Sequence, residues 1–307
     1  MAEKYGYPIV GRYGLGNMLF PWARCVLWRG QSGARMIAPF WTQLRLGPYL
    51  RGERDKRAYQ FLFRHDGYVS GINRLLLLAT YSRFPETAAC ATDSQNRSIR
   101  VFKGMEGLFE PLIGNSALLR DELIRITRPS ALGAAPAAKR YIAIHVRRGD
   151  FSVSEDESVL RRGGVNYRIS LSWYAAALES LRKSLASAMP AFVFSDADES
   201  ELQELLGLPA VLLHRTGTAV GDLLCLSRAS ALIASGSTFS MWGSFLGQTP
   251  SVWHPGQKRQ ALLGNGDQPH LEIELDVEQS IPPGFARSLL DGLTIEPGAA
   301  QSLETGR

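Results

Sequence analysis

Tyr141-Ile-Ala-Ile-His-Val-Arg-Arg-Gly-Asp150 is the stretch that decides the fold. Its first six residues form a short, largely β-branched and apolar run with polar residues on both sides, the pattern of a strand buried on both faces. Leu171, Tyr174, Leu178, Leu181 and Leu185 then recur at three- and four-residue spacing and predict an amphipathic helix. Ala191 to Ser195 reads as a second strand. Asp198 and Glu201 form a capping box that opens the next helix, and Gly207 ends it. The alternation continues with a strand over Ala210–Leu213, a helix over 219–229, a strand over Ala231–Ser235, a helix over Thr238–Leu246 and a strand over Ser251–Trp253. Strict strand–helix alternation requires crossovers of one hand and gives a parallel, doubly wound sheet.

Working outward, the segment Pro129-Ser-Ala-Leu-Gly-Ala-Ala-Pro-Ala-Ala-Lys139 has no apolar period and reads as a linker. Before it, helices are expected over 16–30, 68–83 and 117–127, and strands over 34–39 and 98–103. A second α/β unit follows from that alternation. The expected division is an α/β unit over 1–135, a Rossmann-like unit over 136–295 and a polar, Gly-rich, disordered tail over 296–307.

The 307 residues are 45% apolar and 21% charged, enough to bury two cores without staples. Cys25, Cys90 and Cys225 are far apart in mostly apolar sequence and show no zinc spacing, which favours reduced structural thiols. The net charge is +5, spread without any long basic run, so nucleic acid is not the expected partner. A mildly basic surface with one basic cleft fits better. Met1 to Val10 lack a basic start followed by an apolar stretch, and Leu75 to Thr80 is too short to cross a bilayer. The expectation is a cytoplasmic protein without a transmembrane segment, with room for peripheral contact at the inner membrane face.

Four segments carry candidate chemistry. His145-Val-Arg-Arg-Gly-Asp150 leaves the carboxyl end of a buried strand, where open α/β sheets bind ligands. Arg147 and Arg148 offer planar forks for phosphate oxygens, and Asp150 can hold an arginine or cap the backbone. The alternative is a surface turn with solvated arginines. Asp196, at the end of the next strand, can accept hydrogen bonds from a nucleotide, or can cap a helix as Asp198 does. Ser237, Thr238 and Ser240 lie between a strand and a helix start, where free N–H groups favour an anion; a plain N-cap is the alternative. Gly14, Gly16 and Asn17 precede the first helix, the glycines allowing close approach and Asn17 expected at the N-cap.

In order and spacing these segments resemble the α-1,2-fucosyltransferase family, glycosyltransferase family 11. The resemblance runs through Tyr13-Gly-Leu-Gly-Asn-Met-Leu-Phe20, His145 to Phe151, Phe194-Ser-Asp-Ala-Asp198, Asp222-Leu-Leu-Cys-Leu-Ser227 and Gly236-Ser-Thr-Phe-Ser-Met-Trp-Gly243. Met18 stands where that family has Gln, Met241 where it has Trp, and Ala197 is inserted between the two acids. The resemblance implies a GT-B architecture, two Rossmann-like α/β domains facing across a cleft. It implies inverting transfer of L-fucose from GDP-β-L-fucose to a glycan acceptor, with no cofactor and no metal. By it, Arg147 and Arg148 would hold the pyrophosphate, and His145, Asp196, Ser237, Thr238 and Ser240 would contact nucleotide or phosphates. Gly14, Gly16 and Asn17 would line the opposite wall. Asp150, Glu155, Asp156 and Glu157 are the candidates for a general base, and a late proton loss could make one unnecessary. Two other readings stay open: a related enzyme using another nucleotide sugar, and a non-catalytic nucleotide- or sugar-binding module.

Overall fold

The computed structural model describes residues 4–11, 13–42, 50, 58–88, 97–154, 156–263 and 271–294. Two parallel sheets organise them. The first contains β1 (Tyr5–Ile9), β2 (Arg35–Met36), β3 (Ser82–Pro85) and β4 (Ser98–Lys103), in the order β2-β1-β4-β3. The second contains β5 (Ile142–Val146), β6 (Ala191–Ser195), β7 (Val211–Leu213), β8 (Ala231–Ala234), β9 (Ser251–Trp253) and β10 (Glu272–Glu274), in the order β10-β9-β8-β5-β6-β7. The fold is therefore α/β, with two Rossmann-like units, each a parallel sheet alternating with helices.

The helices are α1 (Leu15–Ser32), α2 (Gly71–Thr80), α3 (Ser116–Ile126), α4 (Leu171–Ser184), α5 (Ala219–Leu226), α6 (Thr238–Gly247) and α7 (Pro283–Thr294), with shorter turns between. Alternation along the strands sorts them into layers. Ile142, Ile144 and Val146 pack with α4 and α7, while Ala143 points to the other face with Phe192, Phe194, α5 and α6. On the first sheet, Tyr5 and Ile99 pack with Leu77 and Leu78 of α2, while Val10 and Phe102 face α1. The middle layer is shared: α1 and α3 of the first unit and α5 and α6 of the second form one apolar cluster around Phe20, Phe109, Trp242 and Phe245. Gly6 lets α1 approach closely, since a Cβ there would lie 2.7 Å from Cys25 Sγ.

Several expectations need correction. Tyr5–Ile9 was not expected as a strand, and neither β10 nor α7 was. The helix expected over 68–83 stops at Thr80, because Tyr81 turns extended and leads into β3. Residues 129–139 are no free linker: Pro129–Leu132 makes a helical turn, Thr218 Oγ1 donates to Ala131 O, and His214 Nε2 lies 3.0 Å from Ala134 O. The tail expected over 296–307 lies outside the described residues. No helix among the described residues is long and apolar enough to cross a membrane.

Candidate functional site

The second sheet reverses its order between β5 and β8. From β5 the chain steps outward to β6 and β7, then returns to β8 and steps the other way to β9 and β10. The crevice beyond the carboxyl ends of strands at such a reversal is where open sheets bind ligands. Two of the four segments singled out above leave from these two strands, and Asp196 follows β6 next door.

His145 is the last but one residue of β5 and shares the face of Ala143, toward α6. It is buried, with Nδ1 2.7 Å from Ser240 Oγ and 3.0 Å from Ser235 Oγ. Phe239 stacks beside the ring at 5.0 Å. Burial, reinforced by Arg147, holds its pKa down at about 3, so the imidazole is neutral. Ser240 Oγ also accepts from Ser235 N at 3.0 Å, and Ser237 Oγ caps α6 by accepting from Ser240 N at 3.3 Å. Ser237 is thus a true N-cap, within a hydroxyl network that fixes His145.

Arg147, Arg148, Asp150 and Asp196 form a second group. Asp196 Oδ1 accepts from the Arg148 backbone N at 2.9 Å, and its Oδ2 takes Arg147 at 2.7 Å. Asp150 takes the other arm of Arg147, also at 2.7 Å, and Phe151 lies under that guanidinium. Gly149 is required here, because a Cβ would sit 2.2 Å from Asp196 Oδ2. Asp196 therefore anchors both arginines. Arg148 differs: its Nε is buried and has no acceptor among the described residues. Such a group carries a desolvation cost unless an anion meets it.

The third group joins the two units. Thr238 Oγ1 donates to Asn17 Oδ1 at 2.6 Å, and Trp242 Nε1 donates to Gly16 O at 2.7 Å. A Cβ on Gly16 would lie 2.9 Å from Thr238 Oγ1 and 3.0 Å from the Phe239 backbone N, so this glycine sets how closely α1 and α6 approach. Gly14 is the N-cap of α1 and faces open space. The expectation for Asn17 is corrected: it lies in the first turn, three residues past the cap, since Leu15 is already helical. Its side chain is free to reach across to Thr238. Pro21, four residues on, has no N–H to give and leaves the Asn17 carbonyl without its helical donor. Met18 and Met241 are both core side chains. Ala197 is also buried, and Asp198 with Glu201 forms the expected capping box.

The remaining acidic candidates are committed locally. Asp156 accepts from Ser158 N at 2.8 Å and Ser158 Oγ at 2.6 Å, which holds its carboxyl below the ordinary range. Glu157 pairs with Arg161 and lies 3.4 Å from His254. Glu155 lies outside the described residues. One cation went unnoticed in the sequence: Arg259, on the loop after β9, donates to Gly236 O at 2.7 Å beside the α6 cap. Its only signal was a Lys-Arg pair following a strand. Among the described residues, no group of three or more His, Cys, Asp or Glu could hold a metal ion.

No family model and no curated protein matches the chain. Solved structures of similar course include the fucosyltransferase NodZ from Bradyrhizobium, 12% identical, covering 81% of this chain and 94% of that one at a TM-score of 0.41. They also include POFUT1 in complex with GDP-fucose, 14% identical over 82% of this chain and 97% of that one, TM-score 0.44. POFUT1 in complex with GDP is 14% identical over 82% and 98%, TM-score 0.45. The likeness concerns the α/β fold alone.

Proposed function

We propose that the protein is an inverting glycosyltransferase that takes L-fucose from GDP-β-L-fucose and places it on an acceptor hydroxyl, α-1,2 to galactose of a glycan. The observation that carries this reading is Arg148, a guanidinium with a buried, unsatisfied Nε at the switch point of a parallel sheet. A diphosphate supplies the missing acceptors. Arg147, held by Asp150 and Asp196, adds a second fixed positive charge. The choice of guanosine and fucose rests on the motif resemblance in the sequence.

In the transfer, the acceptor oxygen bonds to C1 of fucose as the bond from C1 to the β-phosphate oxygen breaks. That electron pair leaves with GDP, where the arginines meet the developing charge in the role a divalent metal plays elsewhere. The acceptor's proton passes to a carboxylate or to solvent. Of the two carboxylates beside the arginines, Asp196 holds the Arg148 backbone N as well as Arg147, so we assign that role to Asp150 on the other side of Arg147. Asn17 and Gly16 form the acceptor-side wall, and Arg259 supports the α6 turn that faces the phosphates.

The test is a transfer assay with GDP-fucose and a galactose-terminated oligosaccharide, run in chelator. A 2-linked fucosyl product is expected. Turnover of a UDP-sugar in place of GDP-fucose, or binding without any turnover, would contradict the reading.

A further inference from the structure

Helix α2 and the amino-terminal ends of the first sheet present a surface that the donor site does not use. Leu77 and Leu78 pack inward, and Arg74 turns inward to donate to Ala38 O at 3.0 Å and Tyr7 Oη at 3.1 Å. That orientation leaves Ile72, Leu75 and Leu76 outside, 66%, 57% and 55% exposed. Their three- and four-residue spacing sets them in one stripe along the helix. At the foot of α2 every strand start carries a cation: Lys4 before β1, Arg35 in β2, Arg83 in β3 and Arg97 before β4. The register places Arg35, Tyr5, Ile99 and Arg83 in one row across the sheet. Arg83 also donates to Leu78 O, which ties that row to the end of the helix.

We propose that α2 and this basic edge dock the protein on an anionic lipid surface. Ile72, Leu75 and Leu76 enter the headgroup boundary, and the four cations meet lipid phosphates. The charge pattern selects the occupant. A second copy bound through the same patch would set like cations against each other, because a two-fold interface is self-complementary. Nucleic acid would leave three aliphatic side chains unused. An anionic bilayer satisfies both features, with buried apolar area and basic charge adding to one another. The candidate donor site lies at the carboxyl ends of these sheets, away from the basic edge, so docking leaves it clear.

The test is co-sedimentation of the full chain with phosphatidylcholine vesicles, with and without about 30% phosphatidylglycerol. Binding is expected only to the anionic vesicles and should weaken with added salt. The triple substitution Ile72→Gln, Leu75→Gln, Leu76→Gln and the double substitution Arg83→Glu, Arg97→Glu should each reduce binding at least about tenfold. All five side chains are exposed, so nucleotide binding should stay unchanged and reports folding independently of lipid, even where loss of the Arg83 bond to Leu78 O lowers the melting temperature. Unchanged vesicle binding in both variants would overturn the proposal. So would a dimer of the parent chain, seen by sedimentation velocity, that the triple substitution abolishes. Neither outcome bears on the transfer reading, which is measured without lipid.

Discussion

Arg148 has a defined place and an undefined partner. Its backbone N is fixed by Asp196, while its side-chain Nε is buried without an acceptor. If a diphosphate fills that role, Arg148→Ala should weaken transfer by at least about 2 kcal/mol, as expected for a charge-assisted contact in a partly dry site. Arg147→Ala should do the same and also loosen Asp196, which loses its ion pair. Lysine at either position should rescue only in part, because an ammonium lacks the bidentate fork. Steady-state rates at saturating acceptor measure this. Near-normal rates in folded alanine variants would return the pair to a surface role. His145 gives a second prediction, through pH. Its folded pKa lies near 3 and its unfolded value near 6.5, so the folded state disfavours protonation. Its contribution to stability is present above about pH 6.5 and is lost progressively as the pH falls toward 3. Melting temperatures measured across that window should fall more steeply for the parent chain than for His145→Asn, which cannot titrate there.

At the scale of elements, the turn after β5 is held by what is missing from Gly149. A methyl group there would meet Asp196 Oδ2 at 2.2 Å and push aside the carboxylate that anchors both arginines. Gly149→Ala should therefore cost nucleotide affinity at least about tenfold with no change in the arginines themselves. Calorimetric titration with GDP checks it. Strands β5 to β9 of the second sheet were legible because each is a short, mostly apolar run ending in polar residues, whereas β10, Glu272-Ile-Glu274, has no such run. The capping box at Asp198 and the cap at Ser237 were legible because their side chains act within one turn of sequence. β1 was not, because Gly6 and Pro8 read as breakers. Pro8 is tolerated since the β2 ladder ends at Gly6, and Pro8 pairs only with β4. β3 was absorbed into the helix before it, since the apolar run of α2 continues into Tyr81 and only the backbone turn at that residue separates them. Asn17 was misplaced by two things the sequence does not mark: α1 starts directly after Gly14, and the partner of Asn17 is a threonine 221 positions away.

At the scale of the molecule, the two sheets are not independent bodies around a hinge. α1 and α3 share their apolar cluster with α5 and α6, and Phe109 N donates to Gln260 Oε1 across the same boundary. The loops after β1 and β4 are thereby held against those after β8 and β9, which brings carboxyl ends of both sheets to one place. Asn17 tests whether that juxtaposition matters for chemistry. Asn17→Ala removes the bond from Thr238 but leaves every residue of the arginine group in place. Transfer should fall at least about tenfold while GDP affinity stays within about twofold, a loss confined to the reacting complex. Equal losses in stability and in rate would make Asn17 a bracket between the units and nothing more. The account as a whole stands on a diphosphate meeting the switch point of the second sheet. Titration calorimetry of the full chain with GDP and with UDP, both in chelator, tests that most directly. The account predicts that GDP binds without metal at least about tenfold more tightly than UDP, and that Arg148→Ala abolishes the difference between GDP and guanosine. No measurable GDP binding, or equal binding of GDP and guanosine by the parent chain, would contradict it.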